Sequence, residues 1–194
     1  MQLPLTIKNW YNSTSSPEGL LARYMATGEN QYLSLLVAQF NLPLYHYLLS
    51  QSNKPIAEDV VQSTWLKVIK KQEQSNHNIT NNLQTNVKCW LFTIARHTLI
   101  DEFRRQKKWQ KQLLDENKML SISLEKSLQN ADRLTKFNNA LEQLPYLQRE
   151  AFIFQQEGFT LNEIAELTTD SFETIKSRLR YARNNLQHLL GTSL

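Results

Sequence analysis

Residues 161–186 read LNEIAELTTDSFETIKSRLRYARNNL, and the pattern in them decides the fold of the second half of the chain. Leu161, Ile164, Ala165 and Leu167 recur at helical spacing, and Thr160 with Glu163 three residues on forms a capping box at the start. Ser171 is placed to cap a second, longer helix, in which Ile175 and Leu179 pack toward the first; Ala165 is small where the two cross closely. The other side of that second helix carries Lys176, Arg178, Arg180 and Arg183 with no acid among them. A short helix, a tight corner and a basic helix form a helix-turn-helix, the unit that lays one helix in a DNA major groove. Phe172, Glu173, Lys176 and Ser177 are then the first side chains to meet base edges. Arg178, Arg180 and Arg183 lie further along and suit phosphates, which set position without specifying sequence. The corner, Thr168-Thr169-Asp170, holds no glycine, so Asp170 is expected to bond nearby backbone or take a strained conformation. The bland alternative is a helical bundle whose basic residues are merely solvated.

Upstream of the corner, RLTKFNNALEQL forms one helix, Pro145 opens another in PYLQREAFIFQQE, and Gly158 closes it. Residues 132–194 therefore form a small all-helical domain. Before it, residues 113–131 mix acids, Ser and Asn with scattered hydrophobes and read as a flexible linker.

Residues 18–112 make a second helical domain. LLARYMATG is a short helix stopped at Gly28, and residues 30–52 place Leu33, Leu36, Val37, Phe40 and Leu44 at roughly helical spacing, with Pro43 positioned to kink or divide the run. A third helix is expected just after Pro55, burying Ile56, Val60, Val61, Thr64, Trp65, Val68 and Ile69, with Glu58 and Asp59 in its first turn where the helix dipole favours acids. The polar, Asn-rich residues 72–86 read as a loop. From Val87 a long helix carries Trp90, Leu91, Ile94 and Leu99 as core and ends in a basic tail. Residues 1–17 form a mobile N-terminal extension in which Trp10 and Tyr11 stand out.

The net charge of +4 is modest, but its distribution is not. Residues 96–111 hold Arg96, Arg104, Arg105, Lys107, Lys108 and Lys111 against Asp101 and Glu102, giving a second basic surface beside aromatic side chains. Aromatic faces stack on unpaired bases while Lys and Arg neutralise phosphates, so this helix suits opened DNA as well as duplex. Among its residues Arg96, Arg104, Arg105, Lys107, Lys108 and, more weakly, His97 are the DNA candidates. Cys89 is the sole cysteine, which excludes an internal disulfide, and no second His or Cys lies near His97 to make a metal site. With no long apolar run and no signal-peptide pattern, a cytoplasmic protein without membrane insertion is expected. No phosphate-cradling glycine loop or nucleophile arrangement points to an enzyme or a cofactor, and the adjacent Glu58 and Asp59 have no catalytic partner.

Three motifs in this order resemble the extracytoplasmic-function group of bacterial sigma factors, small specificity subunits of RNA polymerase. AEDVVQSTWLKVIKK at residues 57–71 is similar to that family's core-polymerase-binding helix. WLFTIARHTLIDEFRRQKK at 90–108 is similar to its promoter-melting and upstream-reading helix, and LEQLPYLQREAFIFQQEGFTLNEIAELTTDSFETIKSRLRYARNNL at 141–186 to its C-terminal domain. The resemblance implies polymerase contacts by Asp59, Val60, Gln62, Leu66 and Lys67. It implies promoter contacts by Asp101, Arg104 and Arg105, and an upstream-element reader in Thr174, Lys176, Ser177 and Arg178. The loop from Gln72 to Val87 would lie by the downstream element and its opened non-template strand. An anti-sigma factor is a further implied partner. Ser63 stands where many relatives have Glu, and Thr168 and Thr169 replace the usual Leu-Gly of the turn.

Two rival readings remain at this level: an autonomous helix-turn-helix regulator that binds duplex DNA without polymerase, and a polymerase-binding adaptor indifferent to promoter sequence.

Overall fold

The computed structural model describes residues 16–74, 86–115 and 133–191. Among the described residues there are eight α-helices and no strand, the expected all-α class. The chain separates into two compact units, residues 1–49 with 53–98 and residues 50–52 with 99–194. Residues 1–15 of the expected extension, with Trp10 and Tyr11, the Asn-rich residues 75–85 and linker residues 116–132 lie outside the described residues, while Ser16 and Pro17 already belong to the first helix and its cap.

In the first unit, α1 (Pro17–Thr27) starts on Ser16, whose hydroxyl accepts the Gly19 N–H at 3.1 Å. It ends on Gly28 in a left-handed conformation (φ +71°). A side chain there would be strained and would also crowd the Gln72 amide, which sits 3.0 Å from where a Cβ would stand. Helix α2 (Asn30–Gln51) runs through Pro43 undivided. The proline deprives the Gln39 carbonyl of its helical donor, but Gln39 is exposed, and buried Phe40, Leu44, Tyr47 and Leu48 on either side hold the helix in place.

Helix α3 (Lys54–Glu73) begins earlier than expected because Asn53 caps it, accepting the Ile56 N–H at 3.1 Å, and Pro55 falls inside the first turn. Glu58 and Asp59 consequently lie beyond the first turn, and Glu58 instead faces Lys54 at 3.8 Å on the surface. The helix continues through Gln72 and Glu73, the first two residues of the expected loop. It buries Ala57, Val60, Val61, Thr64, Trp65 and Val68, and the Trp65 indole N–H donates to the Asn41 side chain at 3.0 Å. Ile56 and Ile69 are only half-buried.

Helix α4 (Val87–Asp115) extends three residues into the expected linker. Leu91, Phe92, Ala95 and Leu99 are fully buried, Phe92 against Tyr47 with ring centroids 5.6 Å apart. Trp90 and Ile94, expected in the core, flank that face and are half-buried; the Lys71 ammonium covers the Trp90 ring at 5.1 Å.

The second unit contains α5 (Arg133–Gln143), α6 (Tyr146–Gln156), α7 (Leu161–Thr168) and α8 (Phe172–Leu190). Helix α8 lies against the other three, burying Ile175, Leu179, Ala182 and Leu186. Phe154 and Phe159 meet edge to face at 5.7 Å, and Ile164 and Leu167 of α7 are buried in the same unit. Leu161 and Ala165 are half-buried instead of core. The Thr160–Glu163 capping box forms in full.

Candidate promoter and polymerase interfaces

The corner between α7 and α8 solves its missing glycine with a threonine. Thr169 adopts the left-handed conformation (φ +59°, ψ +36°); its N–H donates to the Glu166 carbonyl at 3.2 Å, and the Asp170 N–H donates to Ala165 at 3.0 Å. This is the paired hydrogen-bond pattern that usually ends on glycine. Buried Thr168 returns its hydroxyl to the Ile164 carbonyl at 2.8 Å. Past the corner, Ser171 caps α8 by accepting the Thr174 N–H at 3.1 Å, and the Thr174 hydroxyl turns back onto Ser171 at 2.8 Å.

The start of α8 then presents Phe172, Glu173 and Lys176 to solvent, with Lys176 and Glu173 3.7 Å apart and both largely exposed. Arg180 is exposed on the same side and stacks over the Tyr181 ring at 5.1 Å. Arg183 is exposed and donates to the Gln155 side chain at 2.7 Å. Thr174 and Ser177 are half-buried. Arg178 departs from its expected place. Its guanidinium forks onto both oxygens of Asp170, one contact at 3.0 Å, and the side chains retain only 17% and 25% of their accessible surface. It is engaged at the corner and does not project with the other cations.

The basic helix α4 divides in the same way. His97, Asp101, Arg104, Arg105 and Lys107 are exposed, whereas Arg96 is 8% exposed and belongs to the interior. Arg96 is one residue after Ala95 and four before Ile100, on the edge of the stripe that packs inward. Arg104 faces Asp101 at 3.5 Å, and Arg105 forks onto Glu102 with two hydrogen bonds of 2.9 Å. The Arg105 hydrogen bond, aided by Gln106, holds the Glu102 carboxyl below its ordinary range against an opposing effect of burial. Lys108 lies in the helix, and its side chain is outside the described residues.

On α3, Asp59, Gln62 and Leu66 fall at i, i+3 and i+7 and form one exposed stripe, with Leu66 55% exposed. Val60, expected among them, is 2% exposed and packs in the core, so it cannot offer its side chain to a partner. Lys67 is exposed, but its ammonium donates to the Thr98 hydroxyl on α4 at 2.9 Å. A feature missed from the sequence is α2, which has no charged residue and exposes Leu35, Leu42 and Leu49 at seven-residue spacing. That spacing was the available signal: it keeps three side chains on one stripe. Among the described residues no group of three metal-ligating side chains occurs, and no helix is long and apolar enough to cross a membrane.

Residues 36–109 match the family described as Sigma-70 region 2. The chain is 33% identical over 128 residues to the RNA polymerase sigma factor SigV of Bacillus subtilis (strain 168), covering 66% of this chain and 71% of that one. It is 29% identical to the ECF RNA polymerase sigma factor EcfG of Rhodopseudomonas palustris (strain TIE-1), over 71% of this chain and 73% of the relative. Among solved structures it is similar to the sigma factor RpoE in complex with the anti-sigma factor NepR from Bartonella quintana. That match has a TM-score of 0.61 and 31% identity, over 81% of this chain and 97% of that one. The fold is shared with CnrH in complex with the cytosolic domain of CnrY, at a TM-score of 0.62 over 91% of this chain and 98% of that one. The chain belongs to the extracytoplasmic-function subfamily of the sigma-70 family of RNA polymerase sigma factors. Its function is accordingly that of an alternative sigma factor in transcription initiation, and members of this family are not in general enzymes.

Proposed function

We propose that residues 18–112 bind core RNA polymerase and the downstream promoter element, that residues 132–194 grip the upstream element, and that residues 113–131 join them. The observation that carries the reading is the pair of outward surfaces: Asp59, Gln62 and Leu66 on α3, and Phe172, Glu173, Lys176 and Arg180 on α8. The first is a protein-facing stripe that ends in an apolar side chain, docking on the clamp helices of the polymerase large subunit. The second mixes base-reading and phosphate-neutralising groups at the start of a helix, as major-groove readout requires. His97, Asp101, Arg104, Arg105, Lys107 and Lys108 act with the opened DNA. Tethering two modest contacts raises their joint affinity when the linker spans both sites, so the free protein binds promoter duplex weakly and the polymerase supplies the geometry.

The chain contributes binding and no catalytic group; bond formation belongs to the polymerase, and it works in the cytoplasm where that enzyme is. An anti-sigma factor is a further partner, supported by the complexes in which the RpoE and CnrH structures were solved. The exposed Leu35, Leu42, Leu49 and Leu66 are the apolar positions such a partner would cover.

The test is transcription by purified core polymerase, with and without this protein, on a library of supercoiled promoter fragments. Sequence-selective initiation requiring both components is the expected result. A stable polymerase complex without selective initiation would point to an adaptor, and tight duplex binding without polymerase would point to an autonomous regulator.

A further inference from the structure

We infer that Arg178 is a positioning residue and not a DNA contact: through Asp170 it locks the corner of the helix-turn-helix and sets the pose in which α8 meets the upstream element. The inference rests on reading α8 as the recognition helix.

Three observations carry it. Successive helix residues are rotated by about 100°, so Arg178 stands roughly 160° from Lys176 in one sense and from Arg180 in the other. The cations that project outward on α8 thus leave Arg178 on the far side, next to the buried edge defined by Ile175 and Ala182. Second, the guanidinium is committed to a two-point fork on the Asp170 carboxylate, and the pair is largely shielded from water. To reach a phosphate it would have to leave an acid that already matches its geometry. Third, Asp170 immediately follows Thr169, a β-branched residue in the left-handed region, and immediately precedes the Ser171 cap. A corner without glycine needs support from outside its own backbone, and the fork supplies it by tying the corner to the second turn of α8.

The two roles predict opposite signs for one substitution. If Arg178 touched DNA, removing the Asp170 charge would free the guanidinium and tighten promoter binding. If the pair positions α8, the same change weakens it.

The experiment uses full-length chain in holoenzyme with core polymerase and measures promoter affinity across a salt series. It compares the wild type with Asp170→Asn, Arg178→Ala, Arg178→Lys and Arg180→Ala. Asp170→Asn and Arg178→Ala should each weaken binding by roughly tenfold, the effect of a lost charge-assisted hydrogen-bond pair. Both should leave the slope of log affinity against log salt unchanged. Arg178→Lys should behave like Arg178→Ala, because a lysine keeps the charge and loses the fork. Arg180→Ala should lower the slope by about 1. Tighter binding by Asp170→Asn, or a slope lowered by about 1 in Arg178→Ala and retained in Arg178→Lys, overturns the inference while leaving the reading of α8 intact. Insensitivity of the affinity to Arg180→Ala together with all three corner variants would remove α8 from the promoter, and the inference with it. Asp170→Asn preserves side-chain shape, so it reports the sign even if Arg178→Ala unfolds the unit.

Discussion

Replacing Thr169 with glycine should stabilise the C-terminal unit by about 0.3 kcal/mol, although glycine is ordinarily the destabilising choice. Thr169 sits at φ +59°, ψ +36°, where an L-residue pays roughly 1–2 kcal/mol that glycine does not. Against that gain stand glycine's extra freedom in the unfolded chain, about 0.5–1 kcal/mol, and the bond from the Thr169 hydroxyl to the Thr168 carbonyl. In a half-solvated setting that bond contributes roughly 0.5 kcal/mol. Packing does not enter, since Thr169 is exposed. Thr169→Val is the informative partner: it keeps the branched Cβ in the same strained conformation and gives up the hydroxyl, so it should lose about the 0.5 kcal/mol of that bond. The two variants are then separated by about 0.8 kcal/mol, close to a fourfold ratio in an opening equilibrium. Native-state hydrogen exchange of α7 and α8 amides in the full chain reads that equilibrium locally, without requiring the two units to unfold together. The expected order of protection is glycine, then threonine, then valine. Faster exchange in Thr169→Gly than in both others would refute the argument that the corner is strained.

Four further outcomes follow from the same geometry. Glu102→Gln should flatten the acid limb of stability: the carboxyl's folded pKa is depressed, so its contribution is present above the ordinary carboxylate range and is lost as pH falls through the folded value, which acid unfolding titrations of both proteins would compare. Leu66→Arg should weaken association with core polymerase tenfold or more, in a competition assay, with the melting curve unmoved because the side chain is 55% exposed. Lys107→Ala should reduce the salt slope of open-promoter binding by roughly 0.7–0.9, whereas Arg96→Ala should leave the slope unchanged and lower stability. Phe92→Ala should cost about 3–5 kcal/mol in urea unfolding followed by the Trp65 and Trp90 fluorescence, because it empties a fully buried ring site against Tyr47.

How far the sequence could be read follows from which physical signal each feature leaves. Periodicity and caps are local, and they placed the helices well: the Thr160–Glu163 box, the Gly28 stop and the Ser171 cap all stand where the residues put them. Asn53 shows the limit, since an Asn before Lys-Pro is as good a cap as any, yet Pro55 drew the expected start past it and moved Glu58 and Asp59 a turn too early. Pro43 shows another, because the tertiary burial that carries α2 across it is invisible to a local rule.

The site residues separate along a different line. Arg96, Arg178 and Val60 read as contacts by residue type or by position in a family motif, and the angular place of each on its helix turns it toward the interior or the corner. Arg96 shares the inward edge with Ala95 and Leu99, and Val60 lies one residue round from the exposed Asp59. A basic stretch on a helix is therefore two populations, and helical angle sorts them before any partner is invoked. The Asp170–Arg178 fork could not have been read this way at all. Asp170 belongs to the corner and Arg178 to the second turn of α8, and residues eight apart on one continuous helix would stand about 12 Å apart, out of contact. Where a turn departs from its usual glycine, the compensating contact should be sought between the corner and the second turn of the helix it launches. On the proposed reading of α8 as the recognition helix, that places Asp170, the least obvious residue of the motif, among those on which promoter recognition most depends.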